Sequence, residues 1–241
     1  MKIKRHLPNL LTLTNLLSGC LLVFLSAQLD EVQFQYSSNT YVFLVLILIS
    51  LVCDLLDGMV ARWLQVSSPL GLQLDSLADM VTFGVFPGVL MVKMLENSLS
   101  EVSQLLALLG FGITLFSALR LAKFNVDLTQ TSYFKGLATP ANAVMIFGIF
   151  ILFQNYPEFF IANGFNVLLA ITIISSYLLV SNIPLFSFKL KSYNIKNLLP
   201  HAIFLLCGII ALLMTGLNAL SFIIILYIVI SIIFKKSFVH A

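Results

Sequence analysis

Eight long apolar runs dominate this sequence. A helix needs roughly 20 residues to cross the hydrocarbon core of a bilayer. The runs lack the strict alternation of a membrane barrel, so helices are the structure that satisfies their backbone groups in lipid. The sequence therefore predicts an all-α, polytopic membrane helix bundle with about eight transmembrane helices, at approximately 10–28, 41–64, 72–95, 102–125, 139–154, 160–182, 200–215 and 217–234.

Composition agrees with a membrane protein and excludes other classes. Of the 241 residues, 60% are hydrophobic and only 10% are charged, whereas soluble domains carry about 25% charged residues. The net charge of +3 does not indicate nucleic-acid binding, because the basic residues lie between apolar runs. The first run is longer than the apolar part of a signal peptide and no cleavage site follows it, so we interpret it as a retained helix.

The basic residues predict the orientation of the helices. If the N-terminus is cytoplasmic and the spans alternate, only Lys93 of the 13 basic residues falls near the outer side. Lysine and arginine are enriched in cytoplasmic loops, so both termini are expected in the cytoplasm. The twelve residues on or near that side are Lys2, Lys4, Arg5, Arg62, Arg120, Lys123, Lys135, Lys189, Lys191, Lys196, Lys235 and Lys236.

Four aspartates lie inside or at the ends of the second and third predicted spans. Asp54 and Asp57 are three residues apart, and Asp75 and Asp79 are four apart, so each pair shares one helical face. One carboxylate at membrane depth costs about 2.5–3.5 kcal/mol, and Arg62 is the one basic residue between the pairs. A bound divalent cation would compensate for this charge; ion pairs or helix capping are the alternative.

The kind of metal follows from the kind of ligand. Carboxylate oxygens are hard ligands that suit Mg²⁺, Mn²⁺ or Ca²⁺ rather than zinc. The cysteines Cys20, Cys53 and Cys207 lie in apolar runs without metal-ligand spacing. A short turn joins the second and third spans, so both aspartate pairs are expected near the cytoplasmic end of an antiparallel helix pair.

The stretch 54–79 resembles the motif of the CDP-alcohol phosphatidyltransferase family, D-x2-D-G-x2-A-R-x8-G-x3-D-x3-D. Every fixed position is filled, by Asp54, Asp57, Gly58, Ala61, Arg62, Gly71, Asp75 and Asp79. The resemblance implies a membrane fold of six to eight helices with a cytoplasmic site. It implies one catalytic membrane domain over 1–241, with the catalytic part at about 6–143 and further membrane helices at 144–241.

Within this family, four passages are similar to the phosphatidylserine synthases. They are HLPNLLTLTNLLSG (6–19), DSLADMVTFGVFPG (75–88), ALRLAKFN (118–125) and FKGLATPANA (134–143). The last departs from many members at Ala138, where they carry proline. This similarity implies transfer of the phosphatidyl group of CDP-diacylglycerol to the hydroxyl of L-serine, giving phosphatidylserine and CMP, by a homodimer in the cell (inner) membrane.

The resemblance also assigns roles to residues. Asp54, Asp57, Asp75 and Asp79 would bind one or two Mg²⁺ or Mn²⁺ ions, and Asp79 would also take the hydroxyl proton. The CDP-lipid would contact Asp54, Asp57, Gly58, Ala61, Arg62, Gly71 and Asp75. Thr82, Arg120 and Asn125 are candidate acceptor-binding residues.

Each role has a simpler alternative. Asp79 could serve only as a metal ligand, and Arg62 only as a cytoplasmic anchor. Arg120 could extend to the membrane interface, while Gly58, Ala61, Thr82 and Asn125 could serve helix packing.

Two other functions stay open at this point. The same chemistry could use glycerol-3-phosphate or inositol phosphate as the acceptor. A cation transporter is disfavoured, because its acidic residues would be spread across the membrane depth.

Overall fold

The computed structural model describes residues 2–29, 40–98, 104–126, 134–186 and 195–235. Within these ranges the chain forms eight helices and two short strands. The helices are α1 (Lys2–Ala27), α2 (Thr40–Trp63), α3 (Pro69–Asn97), α4 (Gly112–Val126), α5 (Thr139–Asn155), α6 (Pro157–Val180), α7 (Ile195–Thr215) and α8 (Ala219–Ile233). The strands β1 (Phe134–Lys135) and β2 (Pro184–Leu185) pair in antiparallel fashion.

An all-helical membrane protein is confirmed, and six stretches within the described ranges are long and apolar enough to cross a bilayer. They are His6–Ala27, Thr40–Trp63, Pro69–Asn97, Leu105–Val126, Asn163–Val180 and Leu199–Ile233. The predicted fifth span is α5, an apolar helix of 17 residues, which is shorter than a straight crossing needs. The predicted seventh and eighth spans fall within one stretch of 35 residues.

That last stretch is a helical hairpin. A short turn, Gly216–Asn218, separates α7 from α8, and Gly216 has a φ of +58° that reverses the chain. The two helices then pack on each other. At this turn Asn155 Nδ2 donates to Asn218 Oδ1 over 2.7 Å, which joins the end of α5 to the hairpin.

The third helix is the centre of the bundle. In its most apolar window 61% of the residues are buried, against 22–33% in the other five stretches. Its buried Phe86 stacks on Phe43 of α2, with 6.1 Å between ring centroids, and Phe43 also meets Phe150 of α5. Two of the four aspartates therefore lie on a helix whose apolar second half is largely buried in the bundle.

Helix α3 begins at a capping residue and contains a π-helical turn. The Oγ of Ser68 accepts from the backbone N–H of Gly71 over 3.1 Å, and Pro69 occupies the first turn, as helix N-termini favour. Immediately after Asp79 the helix widens into a π-helical turn, Met80–Val85. This turn packs against α1 at Gly19, where a β-carbon would lie 2.9 Å from the Cα of Thr82, so glycine permits the close approach.

Alanine at position 138, where many family members carry proline, does not require a different backbone conformation. Ala138 precedes α5 with φ −64° and ψ 140°, which are angles that proline also adopts. Nearby, the Leu137 N–H donates to the Leu178 carbonyl over 2.9 Å and holds this segment to the end of α6. Alanine and proline can therefore begin α5 in the same way.

Candidate metal and phosphotransfer site

Three of the predicted aspartates meet at one end of the bundle. Helix α2 supplies Asp54 and Asp57 and helix α3 supplies Asp75, and one carboxylate oxygen of each lies within 4.8 Å of the others. Asp57 is only 5% exposed, and Oδ1 of Asp75 is buried without a hydrogen-bond partner among the described residues. Crowded, partly unpaired carboxylates fit a divalent cation with oxygen ligands.

The fourth aspartate lies beside this group rather than in it. Asp79 adjoins Asp54, and Asn15 Nδ2 donates to Asp79 Oδ1 over 3.2 Å. The structure thus places all four carboxyl groups together, with Asp79 at the side that faces the π-helical turn. This position leaves Asp79 suited to a role different from that of the other three.

The first helix contributes residues to the site that the sequence prediction did not include. Thr12 Oγ1 donates to Asp57 Oδ2 over 2.6 Å, and Asn15 holds Asp79 as described. Asn9, Thr12 and Asn15 follow one another at intervals of three residues in a mostly apolar run. Residues at this spacing share a helical face, and that polar face was the signal that could have identified them.

A cavity of about 200 Å³ opens between α1, α2 and α3 next to the aspartates. Its lining brings together six of the predicted residues: Asp57, Gly58, Ala61, Arg62, Gly71 and Asp75. A β-carbon on Gly58 would lie 3.4 Å from Nη1 of the exposed Arg62. Gly58 and Ala61 therefore leave open space in the cavity, and the guanidinium of Arg62 lies at the edge of that space.

A second cavity, of about 370 Å³, lies at the same end of the bundle and is basic. Arg120, Lys123 and Lys135 line it together with the end of α6. Arg120 is only 9% exposed, lies over the ring of Phe124 at 5.9 Å, and interacts electrostatically with Asp79 and Tyr227. It has no carboxylate within 4.0 Å among the described residues. This cavity can attract an anionic group.

The other two candidate acceptor residues are engaged in contacts between helices. The buried Thr82 donates through Oγ1 to the backbone oxygen of Asn15 over 3.1 Å. Asn125 is exposed at the end of α4, and its Nδ2 donates to the Oγ of Ser76 over 2.9 Å. Of the three candidates, Arg120 is the one that lines the basic cavity.

Comparison with known proteins agrees with this site. The sequence profile of CDP-alcohol phosphatidyltransferases matches residues 5–181. The chain is 31% identical over 201 residues to the CDP-diacylglycerol–serine O-phosphatidyltransferase of Helicobacter pylori, covering 82% of this chain and 79% of that one. It is 31% identical over 184 residues to the Bacillus subtilis enzyme of the same name, covering 76% and 92%.

A third relative with that name, from Mycobacterium tuberculosis, is 34% identical over 187 residues, covering 74% of this chain and 60% of the relative. The match of the profile includes the aspartate motif and extends into α6, and the relatives span most of the described helices. The chain therefore belongs to the CDP-alcohol phosphatidyltransferase family.

Proposed function

We propose that this protein transfers the phosphatidyl group of CDP-diacylglycerol to the hydroxyl of L-serine, forming phosphatidylserine and releasing CMP. The observation that carries the proposal is the group formed by Asp54, Asp57 and Asp75 beside a cavity with a small-residue wall. The names of the relatives, all CDP-diacylglycerol–serine O-phosphatidyltransferases, support serine as the acceptor.

The donor substrate would occupy the cavity between α1, α2 and α3. Gly58 and Ala61 leave room for the nucleotide next to the backbone of α2, and the guanidinium of Arg62 can donate to diphosphate oxygens. Gly71 lines the same cavity at the first turn of α3. The acyl chains would extend from this end of the bundle into the bilayer.

The three grouped aspartates would hold a divalent cation, Mg²⁺ or Mn²⁺, with Asp79 available to a second ion. Bound there, such an ion neutralises diphosphate charge and stabilises the leaving CMP. Thr12 fixes the orientation of the Asp57 carboxylate through its 2.6 Å hydrogen bond, and outer partners of this kind strengthen metal sites.

Asp79 would act as the general base. A carboxylate that is held by Asn15 at 3.2 Å and lies at the edge of the group, beside Asp54, can accept the proton of an incoming hydroxyl. The serine oxygen then bonds to the phosphatidyl phosphorus, and the bond from that phosphorus to the oxygen of CMP breaks. The proton remains on Asp79, and the electron pair of the broken bond leaves with CMP.

Serine would reach Asp79 from the basic cavity that contains Arg120. The three cations of that cavity also favour a second candidate, an acceptor that carries phosphate, such as glycerol-3-phosphate or inositol phosphate. A transporter has no comparable support, because the family match identifies a transferase. The two enzymatic candidates differ only in the acceptor.

The membrane arrangement that accompanies this proposal has eight crossings. Helix α5 and each arm of the α7–α8 hairpin would cross as short or tilted spans, with both termini and the site in the cytoplasm. The distribution of basic residues supports this orientation. The catalytic unit would be a homodimer in the cell (inner) membrane.

Acceptor-dependent release of CMP tests the proposal. The purified protein is incubated with CDP-diacylglycerol and Mg²⁺ or Mn²⁺, and L-serine, glycerol-3-phosphate or inositol phosphate is added separately. Serine-stimulated release that stops in the presence of EDTA is expected. Release stimulated by a phosphate-bearing acceptor but not by serine would identify the second candidate instead.

A further inference from the structure

Four polar residues on two helices are buried in the part of the bundle that packs against the π-helical turn after Asp79. Ser117 and Arg120 are three residues apart on α4, and Thr139 and Asn142 are three apart on α5. Ser117, Thr139 and Asn142 are completely buried, and Arg120 nearly so. Helices α4 and α5 pack on each other and on the π-helical turn that follows Asp79. We call these four residues the inner polar group.

Each member of the inner polar group has a polar atom without a hydrogen-bond partner among the described residues. These atoms are Ser117 Oγ, Arg120 Nε, Thr139 Oγ1 and Asn142 Nδ2. In native proteins nearly all buried polar atoms are paired, so four exceptions at one junction indicate a site for a polar molecule. The amide of Asn142 is held by Ser175, whose Oγ donates to Asn142 Oδ1 over 2.6 Å.

The inner polar group connects to the reacting end of the protein. Arg120 and Lys135 line the basic cavity together, and Thr139 follows Lys135 by four residues. On its other side Arg120 interacts electrostatically with Asp79. A small acceptor that enters the basic cavity would therefore meet Arg120, the member of the inner polar group that lines this cavity and also interacts with Asp79.

The chemistry of the inner polar group selects an anionic oxygen ligand. The guanidinium N–H and the amide N–H groups can only donate, and hydroxyls can donate as well. Resting on the proposed function, we propose that this group binds the carboxylate of the amino-acid acceptor. Asn142 and Thr139 then determine the preference for serine over an amino alcohol that has no carboxylate.

Comparison of serine with ethanolamine, which lacks the carboxylate, tests this proposal. CMP release is measured against each acceptor for the wild type, Asn142→Ala, Asn142→Asp, Thr139→Val and Thr139→Ser. For Asn142→Ala we expect kcat/KM for serine to fall about 10–100-fold, as for a lost hydrogen bond to a charged group. The values for ethanolamine and the KM for CDP-diacylglycerol should change by less than about threefold. Asn142→Asp should lose more, because it places a like charge against the carboxylate.

Thr139 supplies an independent pair of variants. Thr139→Val removes the hydroxyl and should lower the preference for serine, whereas Thr139→Ser retains the hydroxyl and should restore it. L-alanine keeps the carboxylate but cannot react. Its inhibition constants therefore compare how well the Thr139 variants bind the carboxylate, apart from the reaction. The matched control is Ser221→Ala, which removes a buried hydroxyl that bonds to Met145 O over 2.8 Å on the α5–α8 face.

The outcomes separate this inference from the proposed function. Equal losses with serine and ethanolamine, or a raised KM for CDP-diacylglycerol, would show that the inner polar group only supports the fold. A wild type without serine-dependent CMP release would refute the proposed function itself. If Asn142→Ala does not elute as a folded protein in detergent, the Thr139 pair and the alanine inhibition decide the question.

Discussion

The hydroxyl of Thr12 on the first helix lies 2.6 Å from Oδ2 of Asp57 on the second, across 45 residues of sequence. This bond makes α1 part of the candidate metal site. Thr12→Val keeps the shape and removes the donor, so we expect the Mn²⁺ concentration for half-maximal CMP release to rise about 10–100-fold. Thr14→Val is the control, because among the described residues the Thr14 hydroxyl donates to Leu10 O of its own helix and not to an aspartate. Equal effects of both variants would contradict the role.

Asp54→Asn, Asp57→Asn and Asp75→Asn should each abolish activity while the protein stays folded. Their carboxylate oxygens lie within 4.8 Å of one another, and an amide lacks the charge that holds a divalent cation. The loss should exceed the roughly 10–100-fold cost of losing an outer partner. CMP release measures activity, and elution in detergent shows whether the protein is folded. Glu158→Gln on α6 is the control. Near-normal turnover of any variant at ordinary metal concentrations would show that the substituted aspartate is not a metal ligand.

Asp79→Asn should separate binding from turnover. The amide keeps the shape and cannot accept a proton, so turnover with serine should fall about 10²–10⁴-fold. Equilibrium binding of CDP-diacylglycerol with Mn²⁺ should stay close to that of the wild type. Asn15→Ala, which releases Asp79 Oδ1 from its 3.2 Å contact, should have a smaller effect on turnover. Parallel loss of binding and turnover in Asp79→Asn would make Asp79 mainly a metal ligand.

Gly58→Leu should weaken donor binding without preventing membrane insertion. A leucine side chain would extend into the cavity that Gly58 lines, yet leucine is fully compatible with lipid. We expect a higher KM for CDP-diacylglycerol and little change in the KM for serine. Gly208→Leu on α7 is the control, because the nearest atom to its β-carbon is Ile223 Cγ1 at 3.9 Å. Unchanged kinetics in Gly58→Leu would leave Gly58 with no role in donor binding.

Both termini should lie on the cytoplasmic side of the membrane. Reporter fusions at Lys2 and His240 test this, although His240 lies outside the described residues. A fusion after Lys93 on α3 should report the opposite side. Opposite locations for Lys2 and His240 would require an odd number of crossings.

The helices and the aspartate group could be predicted from the sequence because both depend on local patterns. Apolar length predicts spans, and carboxylates spaced by three or four residues share a face. The bounds of the fifth span and the break between the seventh and eighth spans were also predicted, and in the structure that break is the turn at Gly216, which has a positive φ.

The missed parts of the site depend on packing between distant helices. The approach of Thr12 to Asp57 requires α1 to cross α2 closely, and no local pattern fixes that crossing. Asn142 lies in a passage that indicated the family. That its Nδ2 has no partner among the described residues becomes evident only when α4, α5 and α6 are packed together. For Thr82 the sequence left acceptor contact and helix packing open, and in the structure its hydroxyl joins α1 to α3.

The π-helical turn Met80–Val85 sets the rotation of one half of α3 relative to the other. An α-helix advances about 100° per residue, and a π turn holds one residue more. The aspartates before the turn and Phe86 after it can thus face directions that this sequence could not present in an uninterrupted α-helix. Deleting one residue within this turn would therefore rotate the half of α3 that carries the aspartates by about 100° relative to the half that carries Phe86.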